Sequence, residues 1–127
     1  MPRPSAEEVL VAAKKLIDAT PDFVYVAPSI VCRYNSGGDV RYPGQCGCLL
    51  GQALLQCGYR VPDTWEGSGI ASLIRSGNGI EEFLDTLQAA QDSSVPWEDA
   101  WAYALEQWKS DPVVTDCIKS LTATEPE

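Results

Sequence analysis

Five cysteines, eighteen carboxylates and no histidine set the chemistry open to this 127-residue chain. Without an imidazole, the usual serine and cysteine hydrolase arrangements and many acid–base sites are excluded, as are zinc sites with histidine ligands. An all-cysteine metal site would have to draw on Cys32, Cys46, Cys48 and Cys57. Cys46-x-Cys48 is tighter than the usual knuckle spacing, and eleven helical residues would put Cys46 and Cys57 about 16 Å apart along the axis. The cysteines read instead as small apolar side chains, and no metal or other cofactor is expected. Contact between Cys32 and Cys48, strand to helix, is the easiest cysteine pairing. In a cytosolic protein the thiols are expected to stay free.

Among the carboxylates, Glu98, Asp99 and Glu106, and Glu81, Glu82 and Asp85, are the catalytic candidates. Their spacing puts most of them on the wet face of helices, away from the apolar stripe, so no catalytic residue is assigned. Glycine patterns for phosphates or dinucleotides are absent; Gly44, Gly47 and Gly51 fit neither spacing.

Charge is distributed unevenly. Seven acids are matched by seven bases up to Gly77, whereas from Asn78 onward eleven acids face only Lys109 and Lys119, so the whole net charge of −9 lies in the second part. That surface repels phosphate backbones, and direct nucleic-acid binding is not expected. It either keeps the protein soluble or imitates a nucleic acid towards a basic protein.

Trp97, Trp101 and Trp108 carry a second signal. They form one stripe with Ala100, Ala104 and Leu105. Each indole N–H wants a partner, so three in one small core is demanding. An edge of the stripe, with Trp65 and Tyr59, beside an acidic rim of Glu98, Asp99 and Glu106, is the candidate protein contact.

The elements that hold these residues can be read in order. Ser5-Ala6-Glu7-Glu8 is a capping box opening a helix with Val9, Ala12, Ala13, Leu16 and Ile17 on one face, ending before Thr20-Pro21. Phe23–Val26 reads as a short strand or extended lead-in. Ser29–Tyr34 and Val40–Tyr42 read as a β-hairpin around Asn35-Ser36-Gly37-Gly38-Asp39, with Tyr34 and Tyr42 as a cross-strand or rim pair. A helix over 46–57 carries Cys46, Leu49, Leu50, Ala53, Leu54 and Cys57 at three- and four-residue spacings and stops at Gly58. Gly51 inside it, next to Cys48, implies close approach by another backbone, that of the hairpin. Cys32, Cys48, Leu50, Gly51 and Leu54 are thus expected as the structural hub.

After a loop from Tyr59 to Gly69, Ile70–Ile74 suggests a short helix. Asn78-Gly79-Ile80-Glu81 reads as a second capping box. Its helix turns Ile80, Phe83, Leu84, Leu87 and Ala90 inward and Glu81, Glu82, Asp85 and Gln88 outward. Pro96 is expected at the first position of the tryptophan helix, and Asp111-Pro112 opens a last one with Val114, Cys117, Ile118 and Leu121. The fold class is mainly α (α+β): a single domain over 1–127, frayed at 1–4 and 122–127. It is a compact bundle of about five or six helices around a central apolar helix, with one small hairpin. No apolar run reaches the about 18 residues of a membrane span. The start lacks a signal-peptide stretch, so a cytoplasmic location is expected.

Cys32-x-Tyr34, Pro43-Gly44, Cys48-Leu49-Leu50-Gly51-Gln52-Ala53-Leu54 and Gly58-Tyr59-Arg60-Val61 resemble a family of small actinobacteriophage proteins with no assigned activity. Leu87-x-x-Ala90-Gln91-x2-Ser94 with Trp97 and Ala100 is similar too, so the likeness covers roughly residues 5 to 108. Relatives carry a histidine where this chain has Gln52, which argues against an essential histidine mechanism there. The resemblance implies a non-structural phage product in the cytoplasm of a mycobacterial-type host. The expected function is a non-enzymatic accessory protein that binds a host or phage protein. The alternative is an acidic DNA mimic inhibiting a nucleic-acid-binding protein; a homodimer stays open.

Overall fold

The computed structural model describes residues 3–26, 34, 37–42, 45, 47–62, 70, 73–75 and 79–124, with side chains to residue 120. Among them the chain is mainly helical, with five helices: α1 (Ala6–Ala19), α2 (Leu49–Gln56), α3 (Ile80–Asp92), α4 (Trp97–Trp108) and α5 (Pro112–Thr124). The most extensive contacts pair α1 with α2 and α3 with α4, and α1 also reaches α3 and α4. No helix among the described residues is long and apolar enough to cross a membrane.

The capping box of α1 is present: Glu8 N–H donates to Ser5 Oγ (3.2 Å) and Ser5 N–H to Glu8 Oε1 (2.9 Å). Glu8 also accepts from the Arg75 guanidinium at 2.9 Å. Backbone bonds from Arg75 N–H to Pro4 O and from Ala6 N–H to Arg75 O tie the start of α1 to residues 73–75. Thr20 N–H closes the helix on Leu16 O just before Pro21.

Helix α2 is shorter than the 46–57 span expected. Cys48 is its extended N-cap residue, and Gly47 stands at φ 99°, which no right-handed helix can continue through. Cys46 lies outside the described residues, as does Cys32. At the other end, Gly58 takes φ 82°; its N–H donates to Leu55 O and the Tyr59 N–H to Leu54 O. This is the Schellman stop, in which a residue with positive φ lets two orphan carbonyls find donors. Every residue from Leu49 to Leu54 is buried. At Gly51 an added Cβ would lie 1.9 Å from Tyr34 O, so the backbone of residue 34 rests directly on the helix, the close approach that glycine implied.

Only part of the expected hairpin falls on the described residues. Residues 29–33, 35 and 36 lie outside the described residues, and the described pairing is a single antiparallel bridge between Val26 and Gly38. Val40-Arg41-Tyr42 is not a return strand but a turn, closed by Tyr42 N–H on Asp39 O (2.9 Å). The buried Asp39 carboxylate explains it. It accepts from Val24 N–H and Arg41 N–H at 3.0 Å each, and from the Arg41 guanidinium at 2.6 to 3.2 Å. A side chain that satisfies its own loop's amides competes with a strand ladder. Those bonds, that of the Arg41 guanidinium first, hold Asp39 well below the usual carboxylate range. Arg41 reaches on to Asp22, and Tyr42 Oη donates to Asp22 Oδ1 at 2.5 Å.

Two further start signals shift. Helix α3 has no second capping box: its N-cap is Gly79, which carries no side chain, and Asn78 lies outside the described residues. Pro96 is the N-cap of α4, one residue earlier than the first helical position, with Ala100 N–H donating to Pro96 O. Asp111 caps α5 as expected, its Oδ1 accepting from Val114 N–H at 3.0 Å. Of the short helix expected over 70–74, residues 71 and 72 are outside the description; Leu73 N–H donates to Ile70 O.

Candidate protein-contact surface

The surface begins with what fixes α3 and α4. Phe23 is fully buried, its ring stacked on Trp97 (centroids 4.0 Å apart) and on Tyr42 (5.7 Å). The same segment supplies carbonyls to the first turn of α4: Trp97 N–H donates to Phe23 O and Glu98 N–H to Pro21 O, both at 2.9 Å. Amides that no local side chain caps are thereby satisfied by tertiary contact.

Helix α2 is started in the same way, by glutamines. Gln91 Oε1 accepts from Leu49 N–H (3.2 Å) and Gln88 Oε1 from Leu50 N–H (3.4 Å). Gln88 Nε2 donates to Cys48 Sγ (2.9 Å), and Gln91 Oε1 also accepts the indole N–H of Trp97 (3.4 Å). Gln52, buried as well, donates to Gly47 O and accepts from Gln45 Nε2, pinning the preceding loop to α2. Gln88 is therefore not outward-facing. It spends its amide on α2, because an amide buried in a core must find partners and the first turn of α2 has donors to offer.

This scaffold changes the reading of the tryptophans. Trp97 is 0% exposed and Trp101 9%, so neither presents a face to a partner. Trp101 meets Phe83 edge-on at 5.4 Å, and half-buried Trp108 donates its indole N–H to Thr86 Oγ1 at 2.9 Å. Gln91 and Thr86 are the indole partners whose existence sequence spacing does not reveal. Trp65 lies outside the described residues. Glu98, Asp99 and Glu106 are exposed along the outer side of α4, with Glu106 paired to Lys109 at 2.7 Å.

Tyr103 points the other way. At 53% exposure it is the large aromatic that α4 turns to solvent. It lines a groove of about 420 Å³ between α3 and α4 together with Ala89, Ala90, Ser93, Val95 and Asp99. The signal was available: at 100° per residue Tyr103 lies about 120° round the helix from Trp97, off the stripe where an apolar residue has a packing reason. A second groove, about 480 Å³, runs between α1 and the end of α2 and includes Glu8, Val11, Lys15, Gln56 and Cys57. There the charges are balanced, and Glu8 is already committed to Ser5 and Arg75. Partial burial, then the Glu8 charge, pushes the Cys57 thiol up from its ordinary value, which makes it a poor nucleophile.

Cys48, Cys57 and Cys117 are free thiols. Among the described residues no group of three or more cysteines and carboxylates is placed to hold a metal. No protein-family model, curated protein or solved structure matches the chain.

Proposed function

We propose that the protein works by binding another protein through the α3–α4 groove, without catalysis, as a phage accessory protein in the cytoplasm of its host. Tyr103 carries the reading: a half-exposed aromatic beside a small apolar floor and an acidic rim has no packing role to explain it, and interface centres favour such rings. In this reading α2 is the central, structural helix of the bundle, where Cys48, Leu50, Gly51 and Leu54 serve packing. The test is capture from a mycobacterial lysate by the intact chain, compared with Tyr103→Ala and Asp99→Asn. A protein held by the wild type and released by Tyr103→Ala supports the reading; equal retention by all three, or none by any, removes it.

Nucleic-acid mimicry is the second reading, favoured by the confinement of the net charge of −9 to residues after Gly77. Salt separates the two. A mimic's binding falls steeply as ionic strength rises from about 0.05 to 0.5 M, whereas a contact centred on Tyr103 changes little.

A further inference from the structure

Residues 80–108, which comprise α3, α4 and their connection, contain Glu81, Glu82, Asp85, Asp92, Glu98, Asp99 and Glu106 and no lysine or arginine. The adjoining base, Lys109, is paired with Glu106. The groove thus lies in a field of one sign that its own helices do not compensate. Its floor is apolar: Ala90 and Val95 pack on the core, and Ser93 already donates its hydroxyl to Ala89 O at 3.3 Å. Such a floor gives an anionic ligand no donor beyond the Tyr103 hydroxyl on the groove's wall, and the acids repel it. A second copy of this chain would set the same acids face to face, which costs affinity at any interface. A cationic side chain, by contrast, gains from Asp99 and from the face of the Tyr103 ring.

We infer that the occupant of the groove is a basic segment of a partner protein, presenting one apolar side chain flanked by lysine or arginine. The inference rests on the reading of the α3–α4 groove as the contact site and specifies the chemistry of its partner. The apolar side chain enters between Ala89, Ala90 and Val95. The flanking cations meet Asp99 and the ring of Tyr103.

The experiment selects binders to the intact chain from a library of random displayed peptides and measures the winners by fluorescence anisotropy. Expected winners combine an apolar residue with lysine or arginine. Their affinity falls about tenfold with Tyr103→Ala, about threefold with Asp99→Asn, and not at all with Asp116→Asn, an equal change of charge on α5. Winners that lose affinity with Tyr103→Ala but carry no excess of basic residues overturn this inference and leave the groove standing as the contact site. Basic winners that respond equally to Asp99→Asn and Asp116→Asn overturn it as well, since the attraction is then general. Winners indifferent to Tyr103→Ala, or no winners, overturn both the inference and the contact site.

Discussion

Replacing Gln91 by leucine tests whether the buried amides hold the first turn of α2. Gln91 is fully buried, and its Oε1 accepts from Leu49 N–H at 3.2 Å and from the Trp97 indole at 3.4 Å. Leucine fills nearly the same space and can accept neither bond, so two buried donors are orphaned at once. Both bonds sit at or beyond the long end of the normal range, which places each orphan near the low end of the cost, about 1.5 kcal/mol. The greater hydrophobicity of leucine returns about 1 kcal/mol. The net loss is about 2 kcal/mol, a large part of the stability of a domain this size. It corresponds to a fall in Tm of about 8 °C. Thermal unfolding followed by circular dichroism reads the shift. Near-ultraviolet dichroism reads whether Trp97 keeps its fixed surroundings. Gln88→Leu, which orphans one donor, Leu50 N–H at 3.4 Å, and gives up the weaker bond to Cys48 Sγ, should cost less, about 1 kcal/mol. A Gln91→Leu protein as stable as the wild type, with its tryptophan signal intact, would refute the reasoning, because α2 would then start without its side-chain acceptors.

Gly51→Ala should destabilise by about 2–3 kcal/mol although alanine is the better helix former by about 1 kcal/mol, because its Cβ meets the rigid backbone of Tyr34; a rise in Tm contradicts that contact. Asp39→Asn should lower stability at neutral pH. Since the folded state depresses the carboxyl below its unfolded value, the wild type's advantage is full above the unfolded pKa of about 4 and shrinks as pH falls towards the folded one; denaturant melts at several pH values check this, and a gap that widens in acid refutes it. Tyr42 behaves oppositely. Its bond to Asp22, then desolvation, raises its pKa, so its advantage over Tyr42→Phe is full below the unfolded value of about 10 and fades as pH climbs through the folded one. Tyr103→Ala should change stability by no more than about 0.5 kcal/mol; a larger loss assigns the ring to packing rather than binding.

The local signals that held are those in which one short stretch contains both partners. Ser5 caps α1 through Glu8, Pro21 follows its end, Asp111 caps α5, and Gly58 provides the positive φ that stops α2. The apolar spacings of α1, α3 and α4 likewise select the faces that are buried, because a helical period is a property of the stretch itself. Gly51 foretold a close backbone approach, since only a missing side chain explains a glycine there.

Long-range partnership decided the rest. Asp39 turns residues 40–42 away from a strand because its carboxylate reaches Val24, fifteen residues earlier. Gln88 reads as an outward position, yet α2 lies 38 residues from it and 42 from Gln91 in sequence and directly against both in space, and its unpaired amides draw those side chains into the core. The same placement gives Trp97 its hydrogen-bond partner, removes the tryptophan stripe from the surface and leaves Tyr103 to face solvent. A sequence states which side chains need a partner; which ones find it inside the fold depends on distances that exist only once the helices have met.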